Sequence, residues 1–419
     1  MNFDTIAVRG GYTPDKDFHS VTPPLYMTNA YQFESAEQAK KRFSLEEGGN
    51  IYTRLTNPTN TLLEERLALL EGGNGCVVTS SGHSAIFMAM FNLASTGDEI
   101  ISSCNIYGGA VSMLGNTLKR MGITTKFIDP DNFEELESAI TPKTKAIFTE
   151  TLGNPSSNIS DIEKFAEIAK KNGIPLMIDN TFATPYLFRP FEYGADIVVH
   201  STTKFLGGHA AAMGGAVITS KTFNLKDNPR FDEYNSPDPN YHGMNYAETL
   251  GELAYITRLR ANLLRDVGAC ASPFNSYTIL QGVETIFLRM ERHCYNAQKV
   301  AEFLEQHKNV KKVNYPGLKS NKYNDLAQKY LKKGCGSVLS FEFNGTRKDG
   351  ERIIDNVNLF MNAANLGDTR SLISHPASTT HSQLSTEQLL NAGISEGTIR
   401  LSVGIEDIYD IIQDLQNVL

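Results

Sequence analysis

The chain has 419 residues, 41% apolar and 21% charged, with a formal net charge of -8 at pH 7. That length accommodates roughly two or three domains and a core that needs neither disulfides nor structural metal. The acidic balance, with no basic block or stripe, speaks against a nucleic acid or an anionic membrane surface as the main partner.

Five cysteines, Cys76, Cys104, Cys270, Cys294 and Cys335, form no CxxC and no paired spacing. A cytoplasmic location in reducing conditions is expected, rather than a disulfide framework or a Cys-based zinc site. The opening MNFDTIAVRGGYTPDK has no basic start followed by an apolar run and does not read as a secretory signal. No stretch of about 18 apolar residues occurs, so no transmembrane helix is expected.

Residues 1–60 carry scattered Pro, Tyr and Asn with little period and read as an extended arm. Regular structure is expected from Thr61, where Thr61-x-x-Glu64 has the capping-box pattern, Leu63, Leu67 and Leu70 share a helical face, and Gly72-Gly73 stops the run. Short apolar runs then alternate with helical patterns. The expected strands are Cys76–Thr79, Glu99–Ser102, Thr125–Ile128, Ala146–Thr149, Leu176–Ile178, Ile197–Val199 and Ala216–Thr219. Between two of them Ser160-x-x-Glu163 reads as the start of a helix striped by Ile162, Phe165, Ala166 and Ala169 and ended by Gly173. This order predicts an α/β domain over 61–275 with a mostly parallel sheet of seven strands.

Residues 225–250 are polar, with three prolines, and read either as a surface excursion or as a lid or interface loop. Helical patterns continue to about 308. A smaller α+β domain over 276–419 is expected from an alternating strand at Val338–Phe343, a strand at Thr398–Val403, and helices striped by Ile353, Val357 and Phe360 and by Ile408, Ile411, Ile412 and Leu415.

Two strand ends draw attention. Leu176-Met177-Ile178 finishes in Asp179-Asn180-Thr181, and Ile197-Val198-Val199 finishes in His200-Ser201-Thr202-Thr203-Lys204. Ligands of open α/β sheets collect beyond the carboxyl ends of strands. Singly, such an Asp is usually a turn or cap residue and such a Lys a solvated one. Together they match one cofactor, pyridoxal 5'-phosphate, which needs an amine for a Schiff base and a carboxylate on its pyridine nitrogen. Its phosphate needs a cradle, and Ser80-Ser81-Gly82-His83 leads from a strand into the apolar helix Ile86–Leu93, beside the hydroxyls of Ser201 and Thr203. Ordinary helix capping is the bland reading of that run. Arg400 points away from the apolar face of its strand, as a surface charge or as a fork for a substrate carboxylate. Arg54 sits in the arm, where a surface or interface role is the default. No GxGxxG follows a strand, no P-loop occurs, and the nine histidines show no ligand spacing, so no dinucleotide and no metal are expected.

The run Asp196–His209 around Lys204 resembles the Schiff-base lysine signature of the Cys/Met-metabolism family of fold-type I pyridoxal-phosphate enzymes. Four further blocks agree: Tyr52–Thr59, Ser80-Ser81-Gly82, Ile178–Thr181 and Ser395–Gly404. The resemblance implies the following roles. Lys204 is the Schiff-base lysine, Asp179 the pyridinium partner, and Tyr107 the ring-stacking residue that assists proton transfer. Gly82, the His83 amide, Ser201 and Thr203 hold the phosphate, and Tyr52 and Arg54 reach it from a neighbouring subunit. Asn154 contacts the ring oxygen, and Arg400, with Ser371, binds the substrate carboxylate. It further implies a homotetramer with active sites shared within dimers.

Within the family the chain is most similar to the O-acetylhomoserine sulfhydrylase branch, also called homocysteine synthases, which carries a loop like Pro239–Gly243 and a run like Ala269–Phe274. Where methionine γ-lyases usually carry Cys, this chain has Gly109, and His83 stands where other branches commonly have Met. The implied reaction is replacement of acetate on O-acetyl-L-homoserine by sulfide or a thiol. The alternatives are γ-elimination from methionine or homocysteine, and a catalytically dead α/β scaffold.

Overall fold

Residues 1–154, 157–379 and 395–419 are described by a computed structural model. Each of the seven expected strands is present: β1 (Gly75–Thr79), β2 (Glu99–Ser103), β3 (Thr124–Ile128), β4 (Thr144–Glu150), β5 (Leu176–Asp179), β6 (Ile197–His200) and β7 (Gly215–Thr219). They form one sheet in the order β1-β7-β6-β5-β4-β2-β3, in which only β7 runs against its neighbours. Both faces are covered, which is why the strands are apolar at consecutive positions instead of alternating. Leu176 and Ile178 enter the core on one face while Met177, between them, enters the core on the other.

The arm contains more regular structure than its sequence suggests. Helix α1 (Phe3–Arg9) packs Phe3 edge-on against Tyr186, and α2 (Ala36–Phe43) is capped by Ser35. The next helix, α3 (Pro58–Glu71), begins a turn before Thr61, because Asn57 accepts from the Thr59 amide and Pro58 occupies the first turn. Thr61 is therefore helical interior, and the expected capping box is corrected. Gly72 ends α3 in the left-handed region at φ 82°, as expected. In α4 (Gly82–Phe91) the cap is Ser81, reciprocated by Ser84. Ser160 likewise does not cap its helix, α6 (Ile162–Lys171): its hydroxyl donates to the Glu150 carbonyl and meets Thr149 Oγ1, while Asp161 takes the cap position. Between these lies α5 (Gly108–Ser112).

The polar segment 225–250 is no free lid. Tyr234, Tyr241 and Tyr246 are buried, and the hydroxyls of the first two donate to the carbonyls of Asn92 and Ala261. A long helix, α7 (Ile286–Glu305), then leads to a second sheet. Its strands are β8 (Val310–Asn314), β9 (Val338–Phe343), β10 (Met361–Asn362), β11 (Leu372–Ser374) and β12 (Thr398–Ser402), ordered β10-β11-β12-β9-β8. The helix carrying Ile353 stops at Asn356, so Val357 and Phe360 lie beyond it; the last helix, α8 (Ile408–Val418), buries Ile408, Ile411 and Leu415 as expected.

No described helix is long and apolar enough to cross a membrane. Since β1, β4, β5 and β6 run the same way, their carboxyl ends open on one edge of the first sheet, and the second sheet brings β12 to that edge.

Candidate active site

At the end of β1 the chain turns sharply into α4. A Cβ on Gly82 would lie 2.6 Å from Ser201 Cβ, so the bare backbone is what lets this helix start close to the end of β6. The Ser201 amide donates to Thr181 Oγ1 at 2.8 Å, tying the end of β6 to the end of β5. Thr203 Oγ1 accepts from the Gly214 amide at 3.1 Å and donates to its carbonyl at 3.2 Å.

Lys204 follows directly. Its Nζ donates to Asn365 Oδ1 at 2.5 Å. Burial, and then the nearby Arg400 cation, pull its pKa down to about 8. The turn after Lys204 is held from α7, where the buried Arg289 donates to the carbonyls of Phe205 and Gly282, both at 2.7 Å. With no carboxylate among these partners, burial draws the Arg289 pKa down to about 10.

Two carboxyls, the buried Glu150 and the half-buried Asp179, face the same space. Burial raises both Asp179 and Glu150, and the negative field of Asp179 raises Glu150 further. Asp179 Oδ1 accepts from the Thr181 amide at 2.9 Å, and His200 and His83 also favour its charged form. Among the described residues the Glu150 carboxyl accepts only from the Tyr107 amide, at 2.8 Å. Charge is therefore disfavoured more strongly on Glu150 than on Asp179. Behind Asp179, on the other side of the sheet, His200 Nε2 meets Glu71 Oε1 at 2.5 Å, and Asn180 joins Glu71 to Thr151. That fully buried network braces the ends of β4, β5 and β6.

Arg400 is not a surface charge. Its neighbours Ile399 and Leu401 fill the core of the second sheet, so strand alternation turns Arg400 toward the crevice, where it is 9% exposed. Its guanidinium donates to Asn154 Oδ1 at 3.3 Å and to the Asn365 carbonyl at 3.2 Å. Burial lowers its pKa, partly opposed by the Tyr107 phenol.

These groups line one cavity of about 330 Å³. Gly82, His83, Tyr107, Asn154, Asp179, Ser201, Thr203, Lys204 and Arg400 all border it. Three expected residues do not. The Ser371 hydroxyl donates to Glu406 Oε2 and accepts from the Gly404 amide, and the residue is fully buried away from the cavity. Its expected part in holding a carboxylate is corrected: both hydrogen-bonding directions of the hydroxyl are already used. Tyr52 and Arg54 stay on the arm, the guanidinium over the tyrosine ring at 5.6 Å and bonded to the Arg265 carbonyl, so within one chain they do not border the cavity. Pro155, which follows Asn154 in the sequence, lies outside the described residues.

Sequence reading missed Glu150 and Asn365. Glu150 ends β4 just as Asp179 ends β5, so the strand-end argument would have found it. Asn365 sits in a loop between short strands and had no sequence signal.

An amine of lowered basicity, a carboxylate and the N-terminus of α4 thus share one partly enclosed space. They suit an aldehyde, a pyridinium and a phosphate respectively, and so fit pyridoxal phosphate. A model of the Cys/Met metabolism PLP-dependent enzymes matches residues 4–419. The chain belongs to that family. It is 46% identical to the O-acetyl-L-homoserine sulfhydrylase of Leptospira meyeri, over 99% of this chain and 96% of that protein. With the homocysteine synthase of Schizosaccharomyces pombe it shares 45% identity, over 100% and 98%. A Campylobacter jejuni crystal structure, described as a candidate O-acetylhomoserine (thiol)-lyase and containing N'-pyridoxyl-lysine-5'-monophosphate, superposes with a TM-score of 0.97 at 47% identity. That superposition covers 100% of this chain and 99% of that one. The protein is accordingly a PLP-dependent enzyme of the fold-type I architecture, with an α/β sheet domain and a second, smaller sheet.

Proposed function

We propose that the protein is an O-acetyl-L-homoserine sulfhydrylase: sulfide or a thiol displaces acetate at Cγ, giving L-homocysteine or its thioether. The observation that carries this reading is the half-buried Lys204 amine beside the Arg400 fork, in a chain 43–46% identical over nearly its whole length to enzymes named for this reaction. Pyridoxal phosphate, when bound, supplies the electron sink for negative charge at Cα. Lys204 holds the cofactor, then moves protons at Cα and Cβ. Arg400 binds the substrate carboxylate bidentately, with Asn365 in support. Asp179 keeps the pyridine nitrogen protonated, Tyr107 covers the ring face, and Asn154 meets the ring oxygen. Gly82, the His83 amide, Ser201 and Thr203 take the phosphate.

In the reaction the C–O bond to acetate breaks as a proton leaves Cβ; a C–S bond then forms at Cγ, Cβ regains a proton, and the proton lost by sulfur balances the departing acetate. Acetate leaves far more readily than a thiolate, which favours the acyl substrate over methionine. Incubating the holoenzyme with O-acetylhomoserine and sulfide should give mainly homocysteine, with L-methionine consumed slowly or not at all. Efficient 2-oxobutanoate release from methionine would instead make the enzyme a γ-lyase.

The active form is a homotetramer with sites shared between subunits, in a reducing compartment such as the cytoplasm. Support comes from the arm, where Phe18, Val21, Met27 and Phe43 are 86%, 91%, 69% and 62% exposed, a surface that a second copy would cover. The five cysteines are all free. Mixing inactive Arg54→Ala with inactive Lys204→Ala chains should restore part of the activity, because some sites then draw both intact residues. No recovery after verified subunit exchange would mean that each chain is self-sufficient.

A further inference from the structure

Gly109 and His83 are far apart in sequence and meet over Tyr107. His83 is in the first turn of α4; Gly109 is in the first turn of α5, two residues after Tyr107. The two rings pack edge to face, centroids 5.4 Å apart at 76°. A Cβ on Gly109 would fall 2.6 Å from Tyr107 Cε1, 2.7 Å from His83 Nε2 and 2.8 Å from His83 Cε1. Each of these is closer than real Cβ atoms come to a neighbour. The imidazole thus occupies the space that any side chain at position 109 would need. Gly109 has no positive φ to justify it and lies in a helix, where alanine is ordinarily favoured over glycine by about 1 kcal/mol. The missing side chain therefore serves the packing of the two rings.

Tyr107 needs such a brace. It is 46% exposed, and its described hydrogen bonds are made by the backbone, notably the amide to Glu150. Without a neighbour its ring is free to turn about two side-chain torsions. His83 and Tyr107 both border the cavity, so ring orientation there sets the shape of its wall.

We propose that His83 is a positioning residue: its imidazole, seated over Gly109, fixes the Tyr107 ring in the orientation in which it covers the cofactor. This rests on the role of Tyr107 given above, and the proposal deepens it. An edge-to-face contact of this kind is worth up to about tenfold in an equilibrium.

The test is a double-mutant cycle between positions 83 and 109, read on cofactor-free protein and on its affinity for added pyridoxal phosphate. Gly109→Ala should lower both thermal stability and affinity in the parent chain. In the His83→Ala background the same change should cost less, since the Tyr107 ring, whose Cε1 lies 2.6 Å from the added Cβ, can then move into the space the imidazole leaves. His83→Ala alone should weaken pyridoxal phosphate binding by up to about tenfold, and His83→Phe, which keeps the ring contact, should restore it. In a Tyr107→Ala background the His83→Ala effect should vanish.

Gly109→Ala acting alike in both backgrounds, or His83→Ala weakening binding equally without Tyr107, would overturn the proposal. A Tyr107→Ala protein with unchanged affinity would instead overturn the role of Tyr107 itself, even if the cycle shows coupling. Loss of coupling with a normal Tyr107 effect would remove only the brace.

Discussion

Lys204→Ala should fold, fail to retain pyridoxal phosphate covalently, and lose at least about 10⁴-fold in turnover, since proton transfer alone contributes about 10²–10⁴-fold and the attachment point goes with it. At pH 7 a lysine of pKa about 8 is neutral in about one molecule in ten, against roughly one in three thousand for an unshifted amine. Covalent loading of the cofactor-free protein should accelerate as pH rises through about 8 and then level off. Arg400 is the second cause of that lowered value, so Arg400→Met should move the midpoint upward.

A lysine whose pKa falls on folding destabilises the cofactor-free protein below pH 8, where the folded chain must bury a cation. The penalty fades between about 8 and the unfolded value of 10.5. Lys204→Ala removes it, so the variant should be at least as heat-stable as the parent near neutral pH, and lost activity cannot be ascribed to unfolding. Borohydride reduction followed by peptide mass mapping checks the attachment. A cofactor-labelled peptide elsewhere in the chain, or a loading rate flat from pH 7 to 9, would displace Lys204 from this role.

The second large effect distinguishes two carboxyls that sequence reading would treat alike. Asp179→Asn should cost about 10²–10³-fold in kcat, the scale for losing one preorganised charge partner in a dry site. Glu150→Gln should cost much less, because burial and the field of Asp179 already disfavour charge there and the new amide oxygen still accepts the Tyr107 amide hydrogen bond. The asymmetry comes from the neighbours: Thr181, His200 and His83 favour charge on Asp179, whereas Asp179 itself opposes charge on Glu150. Parallel kcat measurements on the two isosteric variants, with cofactor content verified, decide it. Equal losses would mean that both carboxyls are ionised in the working enzyme.

The seven strands of the first sheet were legible in the sequence, because strands buried on both faces must be apolar throughout and are punctuated by polar ends. The strand-end rule then located Asp179, Ser201, Thr203 and Lys204, since such positions converge on one edge whatever the order of the strands. Helix starts were read less well. Thr61-x-x-Glu64 and Ser160-x-x-Glu163 have the capping pattern, yet Asn57 with Pro58 starts the first helix and Asp161 the second, the Ser160 hydroxyl bonding to β4 instead, because local pattern does not reveal which competing partner lies nearer in space.

Only the tertiary structure could decide the rest. Arg400 and Ser371 read alike as carboxylate ligands, but packing of the second sheet aims the first into the cavity and seals the second against Glu406. Asn365 reaches Lys204 from 161 residues away, and His83 meets Gly109 between two different helices. A contact between distant residues leaves no period in the chain. It arises only when two elements, each formed for its own local reasons, are packed against one another.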